Sequence, residues 1–188
     1  MRIIGGKLKN KKLHYPENLK TRPLKDSVRE NIFNILSHSN NLSIDIKNSE
    51  VLDLYAGTGS FGLECISRGA AKVYFVDNYP QSLEILKKNI KKLKCEKKTK
   101  IFNADVFNFF KNEELKNEKL DLIFLDPPYK EKNIKVILEN IAKFNLLKKT
   151  GLIVLHRHKK TKDDIDNKFI IKRSVKYGIS KIIFMKIN

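Results

Sequence analysis

The sequence predicts an α/β fold in which helices cover both faces of a mostly parallel β-sheet. From residue 51 onward, short apolar segments alternate with amphipathic segments at helical spacing, which is typical of consecutive strand and helix units. Residues 120–125 are almost fully apolar, as expected for a central parallel strand that is buried on both faces. The last two apolar segments flank Tyr177 and Gly178 and predict an antiparallel hairpin. We therefore expect a seven-stranded sheet with an antiparallel C-terminal edge.

The first 45 residues have a different pattern and predict a small extension that packs on the core. Residues 3–13 contain short apolar pairs separated by turn residues, which indicates a small hairpin. A helix follows, and Ser27 with Glu30 matches a capping box, in which the two side chains would satisfy free N–H groups of the first turn. Residues 37–48 are polar and predict a loop.

The predicted boundary assigns 1–45 to the hairpin and helix extension and 46–188 to the main domain. On the helix expected at 80–93, leucine and isoleucine fall on one side and lysine on the other, so one face can pack on the sheet. Two further helices are expected at 60–68, closed by Gly69, and at 133–144. The strands are expected at 51–55, 72–76, 99–102, 120–125 and 152–155, followed by the hairpin strands 169–175 and 179–187.

The composition excludes several classes of protein. The 188 residues, 41% hydrophobic and 32% charged, suit a soluble globular chain with its own core rather than a disordered one. No apolar run is long enough to span a bilayer and the N-terminus lacks the apolar core of a signal peptide, so we expect a cytoplasmic location. Cys65 and Cys95 have neither metal-ligand nor redox spacing, so we expect reduced, structural thiols and no metal site.

The chain carries a formal charge of +18, from 39 basic against 21 acidic residues. A field of this sign attracts polyanions, so RNA or DNA is the expected class of partner. The excess is mostly lysine in a chain that is also rich in isoleucine and asparagine, so an AT-rich gene is an alternative source of part of it. We expect a solvated helix face for the lysines at 87–100. Phosphate contacts are expected from the lysines around the N-terminal hairpin, which are Lys7, Lys9, Lys11, Lys12 and Lys20.

A glycine-containing turn, Asp53-Leu54-Tyr55-Ala56-Gly57-Thr58-Gly59, lies between the first predicted strand and the following helix. Glycine allows the backbone to turn tightly and to approach a ligand closely. The third glycine of the dinucleotide fingerprint is misplaced, and the Gly-Lys-Ser/Thr phosphate motif is absent from the sequence. By itself the turn is therefore compatible with any nucleotide or with a plain tight loop.

Acidic residues at the ends of successive strands make the prediction more specific. Asp77 ends the second strand and can accept hydrogen bonds from ribose hydroxyls, and Asp105 follows the third, where it can bind an adenine amino group. Asp53 can hold the turn or meet the ammonium group of a cofactor. The alternative for each acid alone is a helix cap or a turn. The pattern predicts an adenosine-type cofactor bound by Asp53, Ala56, Gly57, Thr58, Gly59, Asp77, Asn78 and Asp105.

The tetrapeptide Asp126-Pro127-Pro128-Tyr129 directly follows the fourth predicted strand. Two prolines fix the backbone and remove two N–H donors, so carbonyls remain free to accept hydrogen bonds from an amino group. The Asp126 carboxylate and the Pro127 carbonyl can accept both hydrogens of an exocyclic amine, whose nitrogen lone pair then attacks a sulfonium methyl group. Tyr129 would stack on the base. A simple turn is the alternative, but the position after the fourth strand favours this chemistry, with all four residues as catalytic candidates.

The glycine turn, Asp77 and the tetrapeptide resemble those of class I methyltransferases, which have a Rossmann-like sheet and modify exocyclic nitrogens. Three N-terminal segments narrow the resemblance to the RsmD family over nearly the whole chain: Arg2-Ile3-Ile4-Gly5-Gly6-Lys7, Thr21-Arg22-Pro23 and Asp26-Ser27-Val28-Arg29-Glu30-Asn31-Ile32-Phe33-Asn34. The resemblance implies S-adenosylmethionine as cofactor and methylation of N2 of one guanine in 16S rRNA, with rRNA or the small ribosomal subunit as partner. With the basic pattern above, it implies RNA contacts by Arg2, Lys7, Lys11, Lys12, Arg22 and Arg29, and covering the cofactor is the alternative for the three arginines.

One departure from the family lies at the end of the fifth strand. The sequence there is His156-Arg157-His158, where the family more often has acidic residues. We expect these histidines at surface positions near RNA phosphates rather than in catalysis.

Two alternative functions stay open, together with the oligomeric state, for which a monomer is the default. One is a methyltransferase of the same fold acting on another amine, such as adenine N6 in DNA or RNA, or a protein glutamine. The other is a basic RNA-binding module without activity, which the intact acids and tetrapeptide disfavour. Whether naked rRNA or an assembled subunit is the substrate is also open.

Overall fold

Seven strands and five α-helices are present in the computed structural model, which describes residues 1–15, 24–39, 42, 44–112, 114 and 118–188. The strands are β1 (Glu50–Leu54), β2 (Lys72–Asp77), β3 (Thr99–Asn103), β4 (Leu120–Leu125), β5 (Leu147–His158), β6 (Phe169–Tyr177) and β7 (Ser180–Ile187). The helices are α1 (Asp26–His38), α2 (Ser60–Ser67), α3 (Pro80–Leu93), α4 (Val106–Phe109) and α5 (Ile134–Lys143).

The strands form one sheet in the order β3-β2-β1-β4-β5-β7-β6. Strands β1 to β5 are parallel to one another, and β7 lies antiparallel between β5 and β6. The prediction of a mostly parallel seven-stranded sheet with an antiparallel C-terminal hairpin is confirmed. The strand order reverses between β1 and β4, and the carboxyl ends of strands at such a reversal form a crevice in which ligands bind.

Alternate residues of the central strands point into two cores, one on each face of the sheet. One core contains side chains of α1, α2 and α3, and the other contains those of α4 and α5. Phe61 of α2 stacks between Phe33 of α1 and Phe124 of β4, with ring centroids 5.1 and 3.8 Å apart. Helix α1 therefore shares a core with the sheet, while the domain boundary at residue 45 stays a prediction.

Glu64 of α2 attaches the N-terminal segment to the rest of the fold. Its fully buried carboxylate accepts hydrogen bonds from the backbone N–H groups of Ile4 and Gly5, at 2.8 and 2.7 Å. It also pairs with Arg68 at 2.9 Å and lies 3.8 Å from Nε of the buried Arg29. We call these five residues the Glu64 cluster. Two cations and two N–H donors thus offset the cost of burying this carboxylate.

The predicted capping box is wrong. Helix α1 begins at Asp26 with Lys25 at the N-cap position, so Ser27 lies inside the first turn, and no side chain caps the helix. Asp26 instead pairs with Arg29 at 2.9 Å. The predicted N-terminal hairpin is short: Arg2 and Lys12 form an antiparallel bridge, and the N–H groups of Ile3 and Leu13 donate to the carbonyls of Lys11 and Met1.

Two further elements differ from the predicted ones. The four-residue helix α4 was not expected, because one turn is too short to show helical periodicity. Strand β5 begins at Leu147 rather than 152, because Leu147 already pairs with Leu120, and a register shift separates this pair from that of Leu152 with Leu122. None of the helices in the described ranges is long and apolar enough to cross a membrane.

Candidate active site

A cavity of about 430 Å³ opens at the carboxyl ends of the central strands, a size within the usual range of ligand sites. Most of the predicted catalytic and cofactor-binding residues line it, namely Ala56, Gly57, Thr58, Asp77, Asn78, Asp126, Pro127, Pro128 and Tyr129. The other lining residues were not assigned to the site from the sequence; they are Tyr15, Leu24, Lys25, Tyr55, Ser60, Tyr79, Ser82, His156, Ile179 and Ser180. The glycine turn and the tetrapeptide, far apart in sequence, therefore share one cavity.

The glycine turn between β1 and α2 has left-handed backbone at three residues. The φ angles are +61° at Tyr55, +56° at Gly57 and +85° at Gly59. A Cβ atom on Gly59 would lie 2.4 Å from Cδ1 of Leu86, and the φ of +85° disfavours any other residue, so glycine is favoured there. A Cβ on Gly57 would meet nothing within 4 Å, so this residue turns a bare backbone toward open space, where a ligand can approach.

Asp77 holds the shape of the turn from the neighbouring strand. Its Oδ2 accepts a hydrogen bond from Gly57 N–H at 2.7 Å, and its Oδ1 accepts one from Tyr79 N–H at 2.8 Å. Each carboxylate oxygen can accept a second bond, so Asp77 retains acceptor capacity on the cavity side. The side-chain amide of Asn89 on α3 also stabilises the turn, because it donates a hydrogen bond to the Thr58 carbonyl at 3.1 Å.

Three predicted cofactor residues, Asp53, Gly59 and Asp105, do not line the cavity. Asp53 is 1% exposed and accepts a hydrogen bond from Gly62 N–H at 2.9 Å, which favours the role of holding the turn. Burial raises the pKa of Asp53 well above its usual range, Gly62 N–H opposes that shift, and Asp126 and Asp77 add to it. Asp105 caps α4 by accepting from Phe107 N–H at 3.0 Å.

The tetrapeptide begins where β4 ends. The Asp126 N–H donates to the Leu54 carbonyl at 3.4 Å, which ties the start of the tetrapeptide to β1. The Asp126 side chain is 21% exposed, and Tyr129 is 38% exposed at the rim of the cavity. A carboxylate and an exposed aromatic ring therefore lie on the same wall.

His156 lies inside this site, and the expectation that it would occupy the surface is wrong. The residue is 5% exposed, with Nδ1 of its ring at 2.7 Å from Asp126 Oδ1 and Nε2 at 2.8 Å from Ser180 Oγ. The parallel register explains the contact, because Leu125 pairs with Leu155 and the next residues of the two strands are then neighbours. His158 contacts the edge of the Tyr129 ring, with centroids 5.2 Å apart.

Arg157 braces the backbone that follows the tetrapeptide. Its guanidinium, 2% exposed, donates to the carbonyls of Pro128 and Glu131 at 3.2 and 2.6 Å and pairs with Asp163 at 2.9 Å. Buried guanidinium groups of this kind fix a loop because several donors are satisfied at once. Neither His156 nor Arg157 was assigned a role from the sequence.

The predicted RNA-binding residues have different surroundings. Arg2, Lys7, Lys11 and Lys12 are exposed on the N-terminal segment outside the cavity wall, and their RNA contacts stay predictions. Arg22 lies outside the described residues. The assignment of Arg29 is wrong because its side chain is fully buried.

Arg29 has a structural role instead. Arg29 belongs to the Glu64 cluster, and its guanidinium also donates to the Arg2 carbonyl and to Asp26. Burial lowers the pKa of Arg29, while Glu64 and Asp26 oppose that shift.

Comparisons with known proteins agree with this architecture. A model of the family described as "Conserved hypothetical protein 95" matches residues 1–186. The chain is 35% identical to "Ribosomal RNA small subunit methyltransferase D" of Haemophilus influenzae, over 85% of this chain and 79% of that protein. It is 29% identical to "Putative rRNA methyltransferase YlbH" of Bacillus subtilis, over 99% and 98%. A solved Haemophilus influenzae structure described as a "putative methylase" has a TM-score of 0.77 at 30% identity, covering 98% and 96%. The predicted Rossmann-like methyltransferase fold is confirmed.

Proposed function

The chain belongs to the RsmD family, whose model is described as conserved hypothetical protein 95, and on that premise we propose that the protein is an S-adenosylmethionine-dependent rRNA methyltransferase. Its proposed target is the exocyclic N2 of a guanine in 16S rRNA of the small ribosomal subunit. The observation that carries the proposal is that one cavity joins the glycine turn to the Asp126–Tyr129 tetrapeptide. The names of the relatives support rRNA as the substrate, and the resemblance to the family supports the guanine amine.

The residues of the cavity fit the proposed cofactor. Gly57 offers bare backbone, and Asp77 with Asn78 offers hydrogen-bond acceptors beside it. The Tyr55 hydroxyl is buried and lacks a hydrogen-bond partner within the described part of the chain, so a ligand atom could satisfy it. When bound, S-adenosylmethionine supplies a methyl group that is already activated by its sulfonium.

The tetrapeptide accounts for the chemistry at the amine. Asp126 and the Pro127 carbonyl accept hydrogen bonds from the two amine hydrogens, which frees the nitrogen lone pair from the ring. Bound S-adenosylmethionine would supply the methyl group, and the Asp126 carboxylate would accept the proton that the amine loses and pass it to solvent. Tyr129, exposed at the rim, stacks on the base and sets its orientation. Most of the rate then comes from positioning.

Substitution of Asp77 by asparagine is expected to raise the Kd for S-adenosylmethionine about 10–100-fold. A charge-assisted hydrogen bond is worth about 1.5–3 kcal/mol, and the amide would present a donor to Gly57 or Tyr79 N–H. Titration calorimetry measures the change. Asp45→Asn is the matched control, because Asp45 accepts from the N–H two residues later, as Asp77 does, but is exposed outside the cavity wall. Equal Kd values for Asp77→Asn and the native chain would exclude a cofactor role for Asp77.

The proposed function is tested by incubating the protein with methyl-labelled S-adenosylmethionine and small ribosomal subunits from cells that lack the activity. Free 16S rRNA and duplex DNA serve as parallel substrates. Nucleoside analysis should find label in N2-methylguanosine. Label in N6-methyladenosine or in protein would instead support the alternative amine substrates, and binding of RNA without any transfer would support the non-catalytic module.

A further inference from the structure

Three side chains in the cavity wall form a hydrogen-bonded row, which we call the Asp126–His156–Ser180 row. We propose that His156 is a positioning residue that holds the Asp126 carboxylate toward the substrate amine, and that Ser180 fixes the orientation of the imidazole. This inference rests on the proposed function, because it assigns a role relative to the amine substrate. His156 acts through Asp126 and does not itself contact the reacting atoms.

The row joins three strands at their cavity ends. Asp126 follows β4, His156 belongs to β5, and Ser180 begins β7. The separations are 2.7 Å between Asp126 Oδ1 and Nδ1 of His156, and 2.8 Å between Nε2 and Ser180 Oγ. Both ring nitrogens are thus used, and His156 and Ser180 are only 5% and 6% exposed. A ring held at both nitrogens between packed strands has little freedom to rotate.

With an ionised carboxylate and a neutral imidazole, every donor and acceptor of the row is satisfied. An ionised carboxylate only accepts hydrogen bonds, so the proton of the imidazole facing Asp126 lies on Nδ1. In neutral imidazole Nε2 then accepts, and the Ser180 hydroxyl donates to it. Oriented histidines of this kind are held by the hydrogen bond at their second nitrogen.

The row leaves one carboxylate oxygen for the substrate. His156 occupies Asp126 Oδ1, and the 21% exposed side chain retains Oδ2 as an acceptor. A carboxylate without this donor can rotate about its Cβ–Cγ bond and present either oxygen. Since methyl transfer depends on alignment of the amine, loss of this constraint lowers the rate more than it lowers cofactor affinity.

The neighbouring Arg157 has a separable role on the same strand. It donates to backbone carbonyls of Pro128 and Glu131 and pairs with Asp163, so it holds the main chain after the tetrapeptide. The Tyr129 ring contacts the edge of His156, with centroids 6.4 Å apart. The Asp126 carboxylate itself is held by His156, which makes this residue the specific target for a test.

Two amide substitutions separate the two hydrogen bonds of His156. The Asn amide lies as many bonds from the backbone as Nδ1, so His156→Asn can still donate to Asp126 but cannot reach Ser180. The Gln amide lies as far out as Nε2, so His156→Gln can reach Ser180 but places no donor at the Nδ1 position. Ser180→Ala removes only the outer hydrogen bond, and His38→Gln, exposed at the end of α1, is the control.

We expect the loss of kcat to depend on whether the variant keeps the hydrogen bond to Asp126. We expect His156→Gln to lower kcat about 10–100-fold, with KM for S-adenosylmethionine changed less than about threefold. His156→Asn should recover kcat to within about fivefold of the native value, and Ser180→Ala should fall between the two. Equal kcat values for the Asn and Gln variants, or a loss confined to the KM for S-adenosylmethionine, would overturn the proposal.

A second measurement does not depend on activity. In ¹⁵N-histidine-labelled protein, the resonances of His156 are identified by their loss in His156→Gln. We expect a proton on Nδ1 whose signal shifts in Asp126→Ala and not in the control Asp164→Asn. A proton on Nε2 alone would overturn the inference. If the native protein methylates no RNA, the proposed function fails, and this spectrum still decides whether His156 orients Asp126.

Discussion

Substitution of Asp126 by alanine is expected to lower kcat for methyl transfer about 10²–10³-fold, while the Kd for S-adenosylmethionine changes less than about threefold. The reason is that Asp126 is proposed to bind the amine as it develops positive charge, and groups that act only at the transition state affect kcat most. The glycine turn and Asp77, which are proposed to bind the cofactor, contact each other through Gly57 N–H and do not depend on the Asp126 carboxylate.

Single-turnover kinetics with labelled cofactor measures this effect directly, and calorimetry measures cofactor affinity. Asp126→Asn keeps the size of the side chain and an acceptor oxygen but removes the charge, so it should lose activity as well. Asp164→Asn is the matched control, because this 74% exposed acid makes a single surface ion pair with Lys135. Turnover by Asp126→Ala at more than about a tenth of the native rate would contradict the role assigned to this carboxylate.

Replacement of Glu64 by glutamine is expected to lower the free energy of unfolding by about 3–5 kcal/mol. The carboxylate is fully buried. When glutamine removes its negative charge, the buried Arg29 loses its interior counter-ion. It also weakens the acceptor for the N–H groups of Ile4 and Gly5, which attach the N-terminal segment. Asp26 cannot substitute for Glu64, since its side chain is 45% exposed and pairs with Arg29 from the outer side.

Urea unfolding followed by circular dichroism tests this prediction. Glu84→Gln on the exposed face of α3 is the control and should change the free energy by less than about 0.5 kcal/mol. Glu64→Ala provides a second variant, in which the unpaired Arg29 and an added cavity should cost at least as much. A loss below about 1 kcal/mol in both variants would mean that the Glu64 cluster is not what holds the N-terminal segment.

The parts of the fold that sequence predicted well are those with strong local signals. The helix expected at 80–93 has those bounds in the structure. A proline marks its start, and the regular apolar face shows how far it extends and which side packs on the sheet. The tetrapeptide and the glycine turn were assigned to the site because prolines and glycines constrain the backbone wherever they occur.

The errors concern residues whose surroundings come from distant parts of the chain. Arginine is a residue type that often contacts RNA, so Arg29 was assigned to RNA binding. In the structure Glu64 on another helix is its buried counter-ion, and the local sequence around Arg29 does not reveal this. His156 was assigned to the surface because it follows a strand among basic residues. Its place in the site depends on the register between β4 and β5, which the sequence signalled only weakly.

The pairing of β1 with β4 has a consequence for how the protein folds. Strands β1, β2 and β3 follow one another in sequence. The pairing of Val51 in β1 with Leu122 in β4, in contrast, joins residues that are separated in sequence by β2 and β3. Contacts of such long sequence separation form slowly because loop-closure entropy is lost before they stabilise the chain. The part of the cavity wall with Gly57 and the part with Asp126 are brought together by this pairing. A partly folded chain that has assembled its first three strands would therefore hold the turn but not the tetrapeptide, and catalytic competence should appear only with the complete fold.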